Sequence, residues 1–132
     1  MTEEIVLIAR DGDVVTARQK GRELAMEVGF SGSDLTIIAT AISEIARNIV
    51  VYAERGEITF NMVLESDRRG LVIVATDNGP GISDIEQAMQ DGFSTGKSLG
   101  LGLPGAKRLM DEFDIVSEVG RGTTITMKKW AP

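Results

Sequence analysis

The order of helical and strand segments is the feature of this chain that most restricts its fold. A β-branched run at residues 5–9 precedes two segments with helical spacing, residues 14–28 and 35–53. The later segments are strands at 56–65 and 71–75, a short helix at 83–90, a helix at 103–112, and strands at 114–119 and 123–129. Because tight turns join the paired strands, we expect a mixed, mostly antiparallel sheet with helices on one face. The predicted fold class is α/β, a two-layer α/β sandwich forming one domain over residues 1–132.

The composition excludes several classes of function. The formal net charge of −6 argues against nucleic acid as a partner, because a phosphate backbone favours a basic surface. The absence of cysteine excludes disulfides and thiolate chemistry, and the absence of histidine removes the commonest general base and metal ligand. Any chemistry must therefore use carboxylates, lysines, backbone donors or a metal carried by the substrate.

The N-terminal residues do not have the features of a signal peptide. The first four residues (Met1, Thr2, Glu3 and Glu4) form no basic segment, and no long apolar stretch follows them. No apolar run approaches the roughly 20 residues needed to cross a bilayer. We therefore expect a cytoplasmic chain without a membrane partner.

The helix at residues 35–53 has an apolar arc and a polar arc, and Glu44 and Asn48 are neighbours four residues apart. The commoner interpretation of this pattern is an amphipathic helix with a solvated polar face. The alternative is a carboxylate and an amide at the edge of a cleft. Asn48 could then offer an oxygen to Mg²⁺, and Glu44 could take a proton from an attacking hydroxyl.

Asp77 follows the apolar run at residues 71–75 and precedes Asn78, Gly79, Pro80 and Gly81. Asn-Gly and Pro-Gly are turn dipeptides, so a simple turn is one interpretation. A carboxylate at the end of a buried strand also needs a donor, and the amino group of adenine would serve. Gly79 and Gly81 would let a flat ring lie close to the backbone.

The glycine loop that begins at Gly100 matches the dinucleotide-binding string, since Gly102 and Gly105 have the right spacing. That fingerprint should follow a strand, whereas this loop follows a polar segment. Only three residues separate Gly92 from Gly96, and a P-loop requires four, so we reject that motif as well. The remaining prediction is that backbone N–H groups at a helix N-terminus bind phosphate, with Lys97 adding a cation.

Gly120, Arg121 and Gly122 are typical of a hairpin turn with a left-handed glycine. A threonine where the chain leaves this turn, at Thr123 or Thr124, could hydrogen-bond Asp77 or a bound base.

These separated motifs together resemble the N, G1, G2 and G3 boxes of the GHKL ATPase and kinase superfamily, which has the Bergerat fold. The matching residues are Glu44 and Asn48, then Asp77, Gly79 and Gly81, then Gly100 and Gly102, then Gly122, Thr123 and Thr124. The compact size is similar to that of the anti-sigma-factor serine kinases. Residues 43–48 and 97–113 are most similar to the switch serine kinases of bacterial stressosomes.

The resemblance implies a role for each matching position, with ATP or ADP and Mg²⁺ as cofactors. Asn48 would hold Mg²⁺ against the triphosphate, and Glu44 would orient or deprotonate the acceptor hydroxyl. Asp77 would bond the adenine amino group. The resemblance also places Gly81 beneath the ring, Thr124 beside it, residues 83–99 in a lid, and phosphates on the backbone of Gly100, Leu101, Gly102 and Leu103.

The resemblance further implies an acceptor serine, or a threonine, on a STAS-domain substrate or antagonist similar to RsbS and RsbR. It implies a PP2C-type phosphatase as a second partner. Two other functions remain open: an anti-sigma module that uses nucleotide as a conformational switch, and the catalytic domain of a histidine kinase separated from its acceptor. A generic ATPase like the gyrase and chaperone members is less favoured.

Overall fold

A computed structural model of the chain describes residues 3–82, 89 and 102–132. The elements are β1 (Glu4–Ile8), α1 (Asp11–Val28), α2 (Ser33–Tyr52), β2 (Gly56–Glu65), β3 (Arg68–Asp77), α3 (Gly102–Leu109), β4 (Glu112–Glu118) and β5 (Gly122–Trp130). The five strands form one sheet in the order β1-β2-β3-β5-β4. The α/β class and the antiparallel arrangement are confirmed, and every pairing between the described strands is antiparallel rather than mixed.

The helices cover one face of the sheet, as the alternating burial of the strands shows. In β3, Leu71, Ile73 and Ala75 are buried, whereas the residues between them are only partly buried. Successive side chains of a strand point to opposite faces, so one face of β3 packs against the helices. Helix α2 lies between α1 and α3 and contacts both of them.

Helix α2 is the central element of the helical layer. Its apolar stripe is fully buried, as the spacing predicts, and includes Ile38, Ile42, Ile45 and Ile49. Glu44 lies on the predicted polar arc but is only 6% exposed. The expectation of a solvated polar face is therefore wrong at this position, because α1 and α3 flank α2 and cover part of it.

Two helix boundaries differ from the sequence prediction. Helix α1 begins at Asp11 rather than after a turn, and the Oδ2 atom of Asp13 accepts the backbone N–H groups of Ala9 and Arg10 at 2.8 and 3.2 Å. Helix α3 ends at Leu109, and Glu112 already belongs to β4, where it pairs with Lys128. Sheet pairing here outweighs the helical pattern that the sequence suggested.

The hairpin between β2 and β3 turns at Ser66 and Asp67, whose φ angles are 47° and 69°. Positive φ at both central residues is typical of a two-residue hairpin turn that matches the twist of its strands. The predicted short helix at residues 83–90 falls almost entirely outside the described residues.

Helix α2 is also long and apolar enough to cross a membrane by length and composition. Ten of its residues are buried, and it packs between α1, α3 and the sheet. This burial is typical of the core helix of a soluble fold.

Candidate active site

Glu44 lies where α2 meets the N-terminus of α3. Its Oε1 atom accepts a hydrogen bond from the backbone N–H of Gly102 at 3.1 Å. Its Oε2 atom lies 3.5 Å from Nη1 of Arg47, one turn further along α2. A buried carboxylate needs such partners, because an unpaired charge in the protein interior is strongly disfavoured. The structure thus brings the predicted catalytic carboxylate to the start of the predicted phosphate-binding helix.

Gly102 opens α3 with a φ angle of +57°, a conformation that favours glycine. Leu103 follows and is buried, and Pro104 lies in the first turn, where its missing N–H costs no hydrogen bond. The first N–H groups of a helix have no partner within the helix and carry a partial positive charge. These features suit the predicted phosphate role of Leu103, whereas the backbone N–H of Gly102 already donates to Glu44.

Asn48 lies one turn beyond Glu44 on α2 and is partly exposed. Residues four apart on a helix share a face, so its side chain lies on the same side of α2 as Glu44. Among the described residues there is no cluster of three acidic, histidine or cysteine side chains that could hold a metal ion. Its amide oxygen is a hard ligand of the kind that Mg²⁺ accepts when substrate phosphates supply further ligands.

Asp77 is the last residue of β3, and the chain that follows it passes close to the end of α2. Its Oδ1 atom accepts the backbone N–H of Gly79 at 2.9 Å. A Cβ atom added to Gly79 would lie 2.6 Å from Cβ of Ala53. The predicted reason for this glycine, access for a flat ring, is thus not required, since contact with Ala53 at the end of α2 by itself excludes a side chain there.

The segment after Asp77 is hydrogen-bonded to the end of β4 and to the turn between β4 and β5. The backbone N–H of Gly120 donates to the carbonyl of Pro80 at 2.9 Å, and the N–H of Ile82 donates to Oγ of Ser117 at 2.7 Å. Gly81 has a φ angle of +77°, and a Cβ atom added to it would collide with the backbone carbonyl of Glu118. Both glycines of the predicted adenine motif therefore have structural roles, and their contact with a base remains a prediction.

The strand register shows which of the two threonines lies beside Asp77. Thr123 lies directly across from Asp77, whereas Thr124 pairs with Thr76. Partners in a strand pair share one face of the sheet, so Thr124 lies on the face opposite to Asp77. Thr123 is buried, and its hydroxyl lies 2.8 Å from Oγ of Ser117.

Three of the predicted site residues, Lys97, Gly100 and Leu101, lie outside the described residues, as does almost all of the predicted lid at 83–99.

Two residues next to the candidate site, Ser117 and Arg47, were not singled out from the sequence. Ser117 could not be found, because strand register is not visible in the sequence. Arg47 could have been found, because it follows Glu44 by three residues on a helix, a spacing that permits an ion pair.

Similarity to known proteins identifies the family of this chain. The model of the histidine kinase-like ATPase domain family matches residues 7–129. The chain belongs to this family. It is 52% identical to the serine/threonine-protein kinase RsbT of Bacillus subtilis, over 97% of this chain and 96% of that one. It is 35% identical to the anti-sigma F factor of Geobacillus stearothermophilus, over 73% of this chain and 69% of that one.

Two solved structures share the fold of this histidine kinase-like ATPase domain. One contains the RsbU and RsbW domains of Rv1364c from Mycobacterium tuberculosis, with a TM-score of 0.67 and 24% identity. The chain covers about a third of that longer protein, since 33% of it is matched. The other is the mycobacterial sensor histidine kinase MprB, with a TM-score of 0.58, 16% identity and 99% coverage of both chains.

The superfamily predicted from the sequence is confirmed by the family match, and the narrower resemblance to the stressosome switch kinases is confirmed by the relationship to RsbT. The predicted enzyme class, a serine/threonine-protein kinase that binds ATP, is confirmed by the same relationship.

Proposed function

We propose that this chain is a partner-switching kinase that transfers the γ-phosphate of ATP, with Mg²⁺, to a serine or threonine of a STAS-domain protein in bacterial stress signalling. The observation that carries the proposal is the hydrogen bond between Gly102 and Glu44. It places a carboxylate beside the helix N-terminus that would bind the triphosphate. Phosphoryl transfer requires mainly such positioning together with charge neutralisation.

Each part of the nucleotide has a candidate partner. Leu103 would bind phosphate oxygens through its backbone N–H group, whereas the N–H of Gly102 donates to Glu44. Asn48 would supply one oxygen to Mg²⁺, which neutralises charge on the phosphates when it is bound. Asp77 would accept the adenine amino group through Oδ2, since Gly79 already donates to Oδ1.

Asp77→Asn is expected to weaken ATP binding about ten- to a hundredfold, since a hydrogen bond to a charged group contributes about 1.5–3 kcal/mol. The preference for ATP over GTP should fall as well. Asparagine can still accept the N–H of Gly79 through its oxygen, so the turn should persist. Isothermal titration with both nucleotides measures the change, and Asp114→Asn, at an exposed position of β4, is the matched control. If the affinities for ATP and GTP are unchanged, Asp77 does not bind the adenine base.

Thr123→Val and Thr124→Val form a matched pair that tests which threonine contacts the bound nucleotide. Loss of one hydrogen bond costs about 0.5–1.5 kcal/mol, or roughly two- to tenfold in affinity. Only Thr123→Val should weaken ATP binding, because Thr123 shares the face of Asp77 and Thr124 does not. Equal titration curves for both variants, or a larger loss for Thr124→Val, would contradict this assignment.

The test of the proposed function is incubation of the chain with labelled ATP, Mg²⁺ and a candidate STAS-domain protein, followed by mapping of the phosphorylated residue. A labelled serine or threonine that requires both the chain and Mg²⁺ supports the proposal. Absence of label with every STAS-domain protein of the same genome would overturn it. A PP2C-type phosphatase, the second proposed partner, is tested by whether the chain alters its activity.

A second function is proposed from the anti-sigma F factors that the chain resembles. Such a module would bind a sigma factor directly and use nucleotide to change its shape. Tight, nucleotide-dependent binding to a sigma factor without phosphoryl transfer would favour it over the kinase.

A further inference from the structure

A row of polar side chains crosses the sheet at one end of its helix-covered face. The strand register places Asp77, Thr123 and Ser117 side by side on β3, β5 and β4. The next row along the same face consists of three apolar side chains, Ala75, Ile125 and Ile115. Partners in adjacent strands share one face of the sheet, so the three polar side chains are neighbours at the edge of the apolar core.

The hydroxyl of Ser117 contacts three groups that differ in what they can donate. It accepts the backbone N–H of Ile82 at 2.7 Å, donates to the carbonyl of Gly122 at 3.2 Å, and lies 2.8 Å from Oγ1 of Thr123. A hydroxyl has one proton and two lone pairs. Because an N–H can only donate and a carbonyl can only accept, all three contacts are hydrogen bonds only when Thr123 donates to Ser117.

The proton of Thr123 is therefore directed to Ser117 and not to Asp77, its other neighbour in the row. Oδ1 of Asp77 accepts the N–H of Gly79, and within the described part of the chain no hydrogen bond joins Asp77 to Thr123. A carboxylate is the stronger acceptor, since hydrogen bonds to charged groups are stronger than neutral ones. The contact with Ser117 thus keeps the Thr123 hydroxyl from occupying Oδ2 of Asp77.

We propose that Ser117 is a positioning residue of base recognition, which holds the proton of Thr123 so that Asp77 and Thr123 both present acceptors to the nucleobase. This inference rests on the proposed function, which places the base at Asp77. A base that meets two acceptors must offer an amino group, as adenine does. Guanine carries a carbonyl oxygen at the same ring position, and that oxygen would meet only lone pairs.

The backbone around this row does not depend on the Ser117 hydroxyl alone. The segment at residues 78–82 is also held by Gly120, whose N–H donates to the carbonyl of Pro80 at 2.9 Å. Strand β4 is held by its antiparallel pairing with β5 from Glu112 to Glu118. Removal of the hydroxyl should therefore leave the segment and the strand in place, and change mainly the direction of the Thr123 hydrogen bond.

The experiment is a titration of ATP and GTP, each with Mg²⁺, against the wild type and Ser117→Ala. In the variant the buried hydroxyl of Thr123 loses its acceptor, and a buried polar group without a partner is unfavourable, so the hydroxyl should turn to Asp77. ATP affinity should fall about two- to tenfold, the range of one hydrogen bond. GTP affinity should not fall, because Thr123 can now donate to the guanine carbonyl. A purely structural role of Ser117 would weaken both nucleotides alike.

Ser117→Thr and Ser117→Val are a matched pair of nearly equal shape that differ in the hydroxyl. Ser117→Thr should keep the ratio of the two dissociation constants within about twofold of wild type, whereas Ser117→Val should lower the preference for ATP as Ser117→Ala does. Residues that act through one contact are not additive. Ser117→Ala should therefore leave the ratio unchanged when it is introduced into Thr123→Val.

Three outcomes would overturn the inference. Equal losses of ATP and GTP affinity in Ser117→Ala, equal ratios in Ser117→Thr and Ser117→Val, or an undiminished effect of Ser117→Ala in the Thr123→Val background would each exclude the positioning role, while the nucleotide site and the kinase activity stand. A wild type that binds ATP and GTP equally would remove the base from Asp77, and the inference would fail with that assignment. Transfer of phosphate to the STAS-domain protein is measured separately, and circular dichroism verifies that each variant is folded.

Discussion

Glu44→Gln is expected to slow phosphoryl transfer about 10²- to 10⁴-fold, the usual contribution of a general base. Glutamine has nearly the same shape, and its oxygen can still accept the N–H of Gly102, so the start of α3 should keep its position. What the substitution removes is the charge, the ion pair with Arg47 and the ability to take a proton. ATP affinity should therefore remain within about threefold of wild type.

The measurement is single-turnover transfer to a phosphorylatable acceptor, with nucleotide affinity determined separately by titration. Glu27→Gln is the matched control, since Glu27 is an exposed carboxylate on α1. A Glu44→Gln rate within tenfold of wild type would show that Glu44 does not act as the base. Loss of ATP binding in parallel with the rate would show that its role is to hold α3.

Asn48→Ala is expected to weaken binding of the Mg²⁺–ATP complex at least tenfold, or about 1.4 kcal/mol, because it removes the proposed protein oxygen from the cation. The side chain is partly exposed, so its truncation should leave the fold intact. Titrations with excess Mg²⁺ and with a chelator separate metal-dependent from metal-independent binding. The variant should differ from wild type only when Mg²⁺ is present.

Asn61→Ala serves as the control for this measurement. Asn61 lies on β2, and its amide donates to Glu3 at 3.3 Å in an exposed hydrogen bond away from α2. If Asn48→Ala and Asn61→Ala bind the Mg²⁺–ATP complex equally well, the cation is held by other residues.

Much of the fold follows from local pattern in the sequence. The apolar stripe of α2 and the alternation in β3 predict which residues are buried, because helical and strand periods are properties of the chain itself. The largest errors of the sequence prediction lie where one element ends and the next begins. The sequence predicts a helix through residue 112, but the backbone N–H of Asp111 donates to the carbonyl of Lys128 at 3.0 Å and the chain joins the sheet. A contact with a residue 17 positions away has no local signal.

The types of residue in the candidate site could be recognised in the sequence, whereas their neighbours could not. Glu44, Asn48 and Asp77 stand at spacings that local rules and family resemblance both indicate. The choice of Thr123 over Thr124 depends on strand register, which pairing between β3 and β5 decides. The explanation of Gly79 also depends on a long-range contact, since its close approach is to Ala53, the residue that follows α2.

The sequence by itself determined the order of the elements, the apolar faces that must meet and the family of the domain, because each of these depends on residue types at short spacings. Only the tertiary structure decided that Glu44 is buried and that Gly102 and Arg47 contact its two oxygens. Those contacts arise where α1, α2 and α3 pack together, and long-range packing places side chains that no local pattern can place.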